Sequence, residues 1–437
     1  MNKPGVCAVV GAALMGSAFA GDWPQFCGPE RNNVSAETGL ADAWPESGPR
    51  VLWEKAVADG YSAPAVKDGK VYFIDRENDE SLLRCLDLAK GDELWKCAIA
   101  DPGTMSHKQF AGTRGTPAVT VDAVYFVTGW GTLVCVDLES KSVRWKHNLL
   151  EEFDLALHQW GMSQSPCIHD DLVIVAPTSK SVGVVAYNRK TGELAWKSKP
   201  IGGYTFASPV VYNLCGVDMV VAMGSQEGGR RGRPGDAPPA DAEPATSGVY
   251  GLSPKDGSVL WSYHGWQCRN AIPFPIAVPE NRLFITGGYN AGSAMVRIEK
   301  TDAGFKATEL FKTAAAGPQI HQPVYLDERI LLVNNDNSLN DGLACLKLDG
   351  TMDWRTKDID GAPNFERGAF ILVDGKLVLL DAKTGKLHLV KADVSGYHEL
   401  ASAPMVKGND MAWAPLALSG GKLLVRDWTT LKCVDLK

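Results

Sequence analysis

The chain has 437 residues, with 44 Lys and Arg against 51 Asp and Glu and a net charge of −7. Signs so balanced and interspersed supply no electrostatic case for nucleic acid. Hydrophobic residues make up 45% of the chain, enough for a sizeable core, and no run beyond the N-terminus is long and apolar enough to span a bilayer.

In chain order, residues 1–20 read as a secretory signal peptide. Lys3 precedes an apolar run from Val6 to Met15, and Ala18-Phe19-Ala20 precedes Gly21. Cleavage after Ala20 predicts a periplasmic or secreted protein, and no cysteine follows it to carry a lipid. Residues 21–50 read as an N-terminal extended segment. Val51-Leu52-Trp53-Glu54 is then a strand with nothing before it to pair with.

A repeating phrase follows. Cys85-Leu86-Asp87-Leu88-Ala89-Lys90-Gly91-Asp92-Glu93-Leu94-Trp95 returns from Cys135 to Trp145, from Ala186 to Trp196, from Gly251 to Trp261 and, shortened, from Cys345 to Trp354. Each copy is a strand, a turn and a strand start bearing an aromatic. Periods of roughly 40–50 residues built from such hairpins predict an all-β β-propeller of four-stranded antiparallel blades. In the first blade Ser62–Val66 is the inner strand, Lys70–Ile74 the second, Leu83–Leu88 the third, and Glu93–Lys96 opens the outer one. Prolines 64, 117, 166, 209, 275, 323 and 415 head inner strands, where no ladder donor is needed, and Gly368 stands in that place once. Eight inner strands mean eight blades over residues 51–437.

Two blades depart from the phrase. In the fifth, Met295–Glu299 is the third strand and Phe311 stands near the tryptophan position. In the seventh, Asp381-Ala382-Lys383-Thr384-Gly385 comes too early and reads as the turn between second and third strands, leaving Leu400 in the aromatic's place. The chain ends at Leu431-Lys432-Cys433-Val434-Asp435-Leu436-Lys437, a third strand without an outer partner. Pairing strand 51–56 with the C-terminal blade, 415–437, closes the ring and removes two open edges. The repeated tryptophans read as packing residues between blades.

The stretch from Ser225 to Ser247 is rich in Gly, Pro, Ala and Asp, holds Arg230-Arg231-Gly232-Arg233, and reads as a disordered insertion in the fourth blade. Cys85, Cys135, Cys345 and Cys433 share one repeat position, which reads as a buried packing slot. Pairing among Cys27, Cys97, Cys167, Cys215 and Cys268 stays open, because sequence alone cannot assign it.

Residues just ahead of the inner strands converge on one mouth of the central channel. They are Tyr61, Arg114, Gln164, Phe206, Asn270, His321 with Gln322, Arg367 and Trp413, with Arg76, Glu77, Trp130, Tyr289 and Asn335 from neighbouring turns. Aromatics and arginines around a funnel suit a small anionic or saccharide ligand or a peptide segment, with carboxylates taken bidentately by arginine. The loops Ala100–Gly115, with His107, Lys108, Gln109 and Phe110, and Leu149–Met162, with His158 and Trp160, are expected to overhang this mouth. His158 and His321 are the acid–base candidates. Gly161-Met162-Ser163-Gln164-Ser165 lacks the last glycine of a nucleophile elbow. Asn334-Asn335-Asp336-Asn337 with Asn340-Asp341-Gly342 offers oxygens to calcium, yet these are also ordinary turn residues. No residue is put forward as catalytic or as a metal ligand.

The repeats, the closing strand and the opening Asp22-Trp23-Pro24-Gln25-Phe26-Cys27-Gly28-Pro29 resemble the secreted pyrroloquinoline-quinone-like β-propeller repeat proteins of planctomycetes, verrucomicrobia and relatives. Trp413-Ala414-Pro415, Leu424-Val425-Arg426-Asp427 and Cys433-Val434-Asp435-Leu436 carry the same resemblance, which spans the mature chain. Cys27 departs from it, standing where these proteins usually have Arg. Two branches share the repeat. Quinoprotein alcohol dehydrogenases hold pyrroloquinoline quinone (PQQ) and calcium beneath a vicinal cysteine pair, which this chain lacks. The other branch is the non-catalytic propeller lipoprotein of outer-membrane barrel assembly, also eight-bladed. The resemblance therefore implies a non-catalytic, monomeric scaffold or binding module for extracytoplasmic proteins, with no cofactor expected. The alternatives are a PQQ-dependent oxidoreductase-like protein and a carbohydrate-binding accessory protein.

Overall fold

The computed structural model describes residues 21–78, 80–101, 112–226, 247–336, 338–408 and 412–437. The expected signal peptide, nearly all of the 225–247 insertion and His107 to Phe110 lie outside the described residues.

Eight sheets form the molecule; six are sequential four-stranded antiparallel meanders, a seventh is such a meander with one parallel strand added, and the eighth joins the two chain ends. The inner strands are Ala65–Lys67, Ala118–Val119, Cys167–His169, Val210–Leu214, Ile276–Val278, Val324–Leu326, Ala369–Val373 and Ala417–Ser419. The heading prolines and Gly368 stand at or just before these strands, as the missing proline N–H requires. In the eighth sheet, Arg50–Ala56 pairs antiparallel with Thr430–Asp435, setting Trp53 opposite Cys433. The two chain ends thus share one blade, as the unpaired strands predicted.

One irregularity recurs in every blade. The outer strand carries a bulge, and the next residue pairs with the cysteine slot of the third strand. This sets Trp95 on Cys85, Trp145 on Cys135, Trp196 on Ala186 and Trp261 on Gly251. It also sets Phe311 on Met295, Trp354 on Cys345 and Trp53 on Cys433. The seventh blade corrects the sequence reading. Leu400 is the bulged residue, 39% exposed, and Ala401 takes the aromatic's register opposite Leu389. The bulge adds one residue and so reverses which side chain faces inward.

The aromatics do bridge blades. Trp53, Trp145, Trp196 and Trp354 donate their indole N–H to backbone carbonyls of the following blade, at Leu88 (2.8 Å), Arg189 (3.1 Å), Pro254 (2.8 Å) and Val394 (2.8 Å). Burial follows the same radial logic. Second strands such as Val71-Tyr72-Phe73-Ile74 are apolar on both faces because each face meets a neighbouring blade. The core is therefore a ring of inter-blade layers. The largest layer runs from Phe370's blade through the closing sheet to Val66, Phe73 and Leu88, and takes in Trp23.

The N-terminal segment does more than extend. Trp23 bridges to Val66, Val119 N–H donates to Pro24 O (2.8 Å), and Val34–Ser35 adds a parallel fifth strand to Ala369–Val373. Arg31, 4% exposed, donates to Pro166 O (3.1 Å) and Pro209 O (3.2 Å). Residues 22–37 thus touch inner strands around the ring and plug the channel. Cys27 lies buried in this plug, and Arg31 supplies its guanidinium contact to the channel wall.

Candidate functional site

With one end plugged, the channel becomes a blind cup of about 510 Å³, within the range of small-ligand sites. Phe26 of the plug contributes to its lining. Tyr61, Arg114, Phe206, Arg269, His321, Arg367 and Trp413 reach it from the segments ahead of seven inner strands and blade turns, and Trp160 and Tyr289 complete the aromatic wall. Hydroxyls of Thr116, Ser163, Ser165 and Ser208 and the amide of Gln319 add polar points.

Tyr61 stacks on Trp413 with ring centroids 5.2 Å apart and planes 18° apart, and Arg114 lies over the Tyr61 ring at 5.2 Å. Arg269 lies over Tyr289 at 5.9 Å. Arg367 is held by Gln319 Oε1 (2.7 Å) and by Glu366. The described lining includes three arginines and no carboxylate, and Glu366 just outside it balances Arg367. Burial lowers the pKa of Arg114, with the neighbouring Tyr61 and Tyr204 opposing the shift. Burial also raises the Tyr61 phenol, keeping its proton in place. His321 is pushed down to about 4 by burial and bonds to the Arg367 backbone, so at neutral pH it is an uncharged imidazole. Among the described residues its Nε2 and the Tyr61 hydroxyl have no hydrogen-bond partner.

Seven of the residues predicted for the mouth therefore line one cavity: Tyr61, Arg114, Phe206, Tyr289, His321, Arg367 and Trp413. Seven do not, Glu77 and Asn335 among them. Arg76 and Trp130 pair with each other, the guanidinium 4.9 Å from the indole centroid. Gln164 is fully buried between blades, its amide donating to Ala176 O (2.7 Å) and Thr205 O (3.1 Å) and accepting from Ala176 N (3.0 Å). Gln322 lines a small void beneath the cup. Asn270 is buried outside it, and its neighbour Arg269 takes the place expected of it. Strand counting identifies the segment but not which of two adjacent side chains turns inward.

Phe26 had no sequence signal, because its place depends on where the N-terminal segment docks. The other candidates resolve into structure. Glu77 pairs with Lys96, and Asn335 donates to Glu366 (2.9 Å). Asn334 clasps Gly317, Ala315 and Asp341, at 2.8 Å in each case. Among the described residues no group of three or more His, Cys, Asp or Glu gathers as a metal site, and all nine cysteines are unpaired. His158 stacks on Tyr204 at 5.3 Å and meets Phe206 edge-on. No helix among the described residues is long and apolar enough to cross a membrane.

Solved structures share this architecture. BamB from Moraxella catarrhalis superposes with a TM-score of 0.58 at 14% identity, over 89% of this chain and 98% of that one. A europium-containing methanol dehydrogenase gives 0.66 at 12% identity, over 93% and 90%. A quinohemoprotein alcohol dehydrogenase from Comamonas testosteroni gives 0.63 at 14% identity, over 95% and 81%. At such identities the likeness is one of fold. No curated protein matches the chain. The family model described as outer membrane protein assembly factor BamB matches residues 78–264 and 245–416, most of the length, and the chain belongs to that family.

Proposed function

We propose that this protein is a non-catalytic, extracytoplasmic binding module of the scaffold type, which takes an anionic group in the mouth-side cup. The observation that carries this reading is a cup blind at one end whose described lining has Arg114, Arg269 and Arg367 and no carboxylate, with Arg269 in no ion pair among the described residues. Charge-assisted bonds to arginine are among the stronger polar contacts, and they strengthen where water is excluded. Membership of the family described as outer membrane protein assembly factor BamB supports a scaffold role for this propeller.

The quinone-dependent alternative meets an obstacle in the donor set. Calcium takes about six to eight oxygen ligands, carboxylates foremost. The described lining of the cup offers it no Asp or Glu, so a calcium-bound quinone does not fit.

Thermal unfolding of the full chain against acidic, neutral and cationic small molecules tests the proposal. A ligand present at about a hundred times its dissociation constant adds about 2.7 kcal/mol to the folded state. An upward shift confined to acids, and reduced in Arg269→Gln, is expected. Equal shifts with neutral or cationic compounds, none with any acid, or alcohol-dependent dye reduction with quinone and calcium would each overturn it.

A further inference from the structure

The cup holds polar features that an anion alone leaves unused. His321 is 9% exposed and Tyr61 6%, yet Nε2 of the one and the hydroxyl of the other lack a partner among the described residues. Buried polar atoms are almost always hydrogen-bonded, so these two point to a ligand or an ordered water. His321 bonds the Arg367 backbone through its other nitrogen, which leaves Nε2 an acceptor that needs an O–H or N–H. Ser165 Oγ accepts from Thr116 N (2.9 Å) and Ser208 Oγ from Ser165 N (2.9 Å), so each keeps its own proton to donate.

These atoms share the cup's lining with the stacked Tyr61–Trp413 pair, in which Arg114 lies over the Tyr61 ring and the half-buried Trp413 is the ring open to a ligand. Arg269 has the Tyr289 ring as its contact and no ion pair among the described residues. The complement of this cup is a ring with an apolar C–H face, several hydroxyls and one carboxylate. A phosphate or sulfate brings charge without the apolar face. A flat aromatic acid without hydroxyls brings both but leaves the His321 acceptor unmet.

We infer that the cup is a uronate site, in which a sugar acid lies on the aromatic wall with its carboxylate on arginine and a hydroxyl on His321 Nε2. This rests on the anion-binding reading above and names its ligand class. The sugar acid is either free or a residue of an acidic polysaccharide.

Calorimetry on the full chain with trigalacturonate, its methyl ester, galacturonate, a neutral trisaccharide and a planar aromatic tricarboxylate decides the matter. Trigalacturonate is expected to bind, with the ester and the neutral sugar weaker by about tenfold or more. Arg269→Gln, at an exposed position, and His321→Phe should each weaken binding about tenfold, with the thermal midpoint of the free protein checked alongside. Galacturonate binding as well as its trimer identifies the free acid as the source, and binding of the trimer alone identifies the polysaccharide. Ester and acid binding equally would overturn the inference. So would an aromatic acid binding where trigalacturonate does not, which leaves the anion-binding reading standing. Silence from every acid removes both.

Discussion

His321 shows how one residue's surroundings set its chemistry. Desolvation holds its folded pKa at about 4, against 6.5 for an exposed imidazole. Between those values the unfolded chain binds a proton that the folded chain refuses, so stability falls as pH drops from about 6.5 toward 4. The loss from this one group is about 2 kcal/mol by pH 5. Denaturant midpoints at pH 7 and pH 5 should show it, and His321→Asn should remove that share of the pH dependence. A neutral imidazole also keeps its acceptor over the range in which a carboxylate stays ionised. His321 was legible as a mouth residue from its place before Pro323, but its tautomer and burial were not. Those depend on Arg367, a blade away.

At the scale of the element, the hairpin and the aromatic of the preceding blade form one unit. Gly192 has φ +78°, and a Cβ there would stand 2.7 Å from the Trp145 ring. Gly192→Ala combines left-handed strain with that clash and is expected to cost about 2 kcal/mol or more, read from urea unfolding. Lys141 has the equivalent place in the second blade at φ 57°, so the left-handed backbone alone does not demand glycine there. The seventh blade tests the same unit in reverse. Its neighbour presents the meeting chain ends in place of a hairpin, with Ala41 N–H bonded to Leu436 O (2.8 Å) and Trp44 packed on the same layer as Ala401. Restoring the repeat's aromatic by Ala401→Trp should therefore overpack that layer and destabilise the protein by about 1–3 kcal/mol. A gain in the thermal midpoint would show that the chain ends leave the room free.

For the whole molecule, ring closure is the feature on which the other seven interfaces depend. Arg426, 1% exposed, donates to Ser62 O (2.9 Å) and Ala58 O (2.8 Å), tying the last blade to the first. Burial lowers its pKa to about 10, so it stays charged at neutral pH. Arg426→Met strands two buried carbonyls and is expected to cost about 3 kcal/mol, measured by denaturant unfolding. The closure itself was legible, because a lone first strand and an unpartnered last one have one way to satisfy both edges. Repeat spacing likewise determined the blade number, the inner strands and the inter-blade role of the tryptophans, since all three arise from local hydrogen bonding and local apolar pattern. The tertiary structure alone decided that Ala401 and not Leu400 holds the aromatic's register. It alone turned Arg269 inward in place of Asn270 and drew Gln164 between blades. It alone folded residues 22–37 back into the channel to make a cup of an open pore. Each of these depends on contacts between residues far apart in the chain, about which local pattern carries no information.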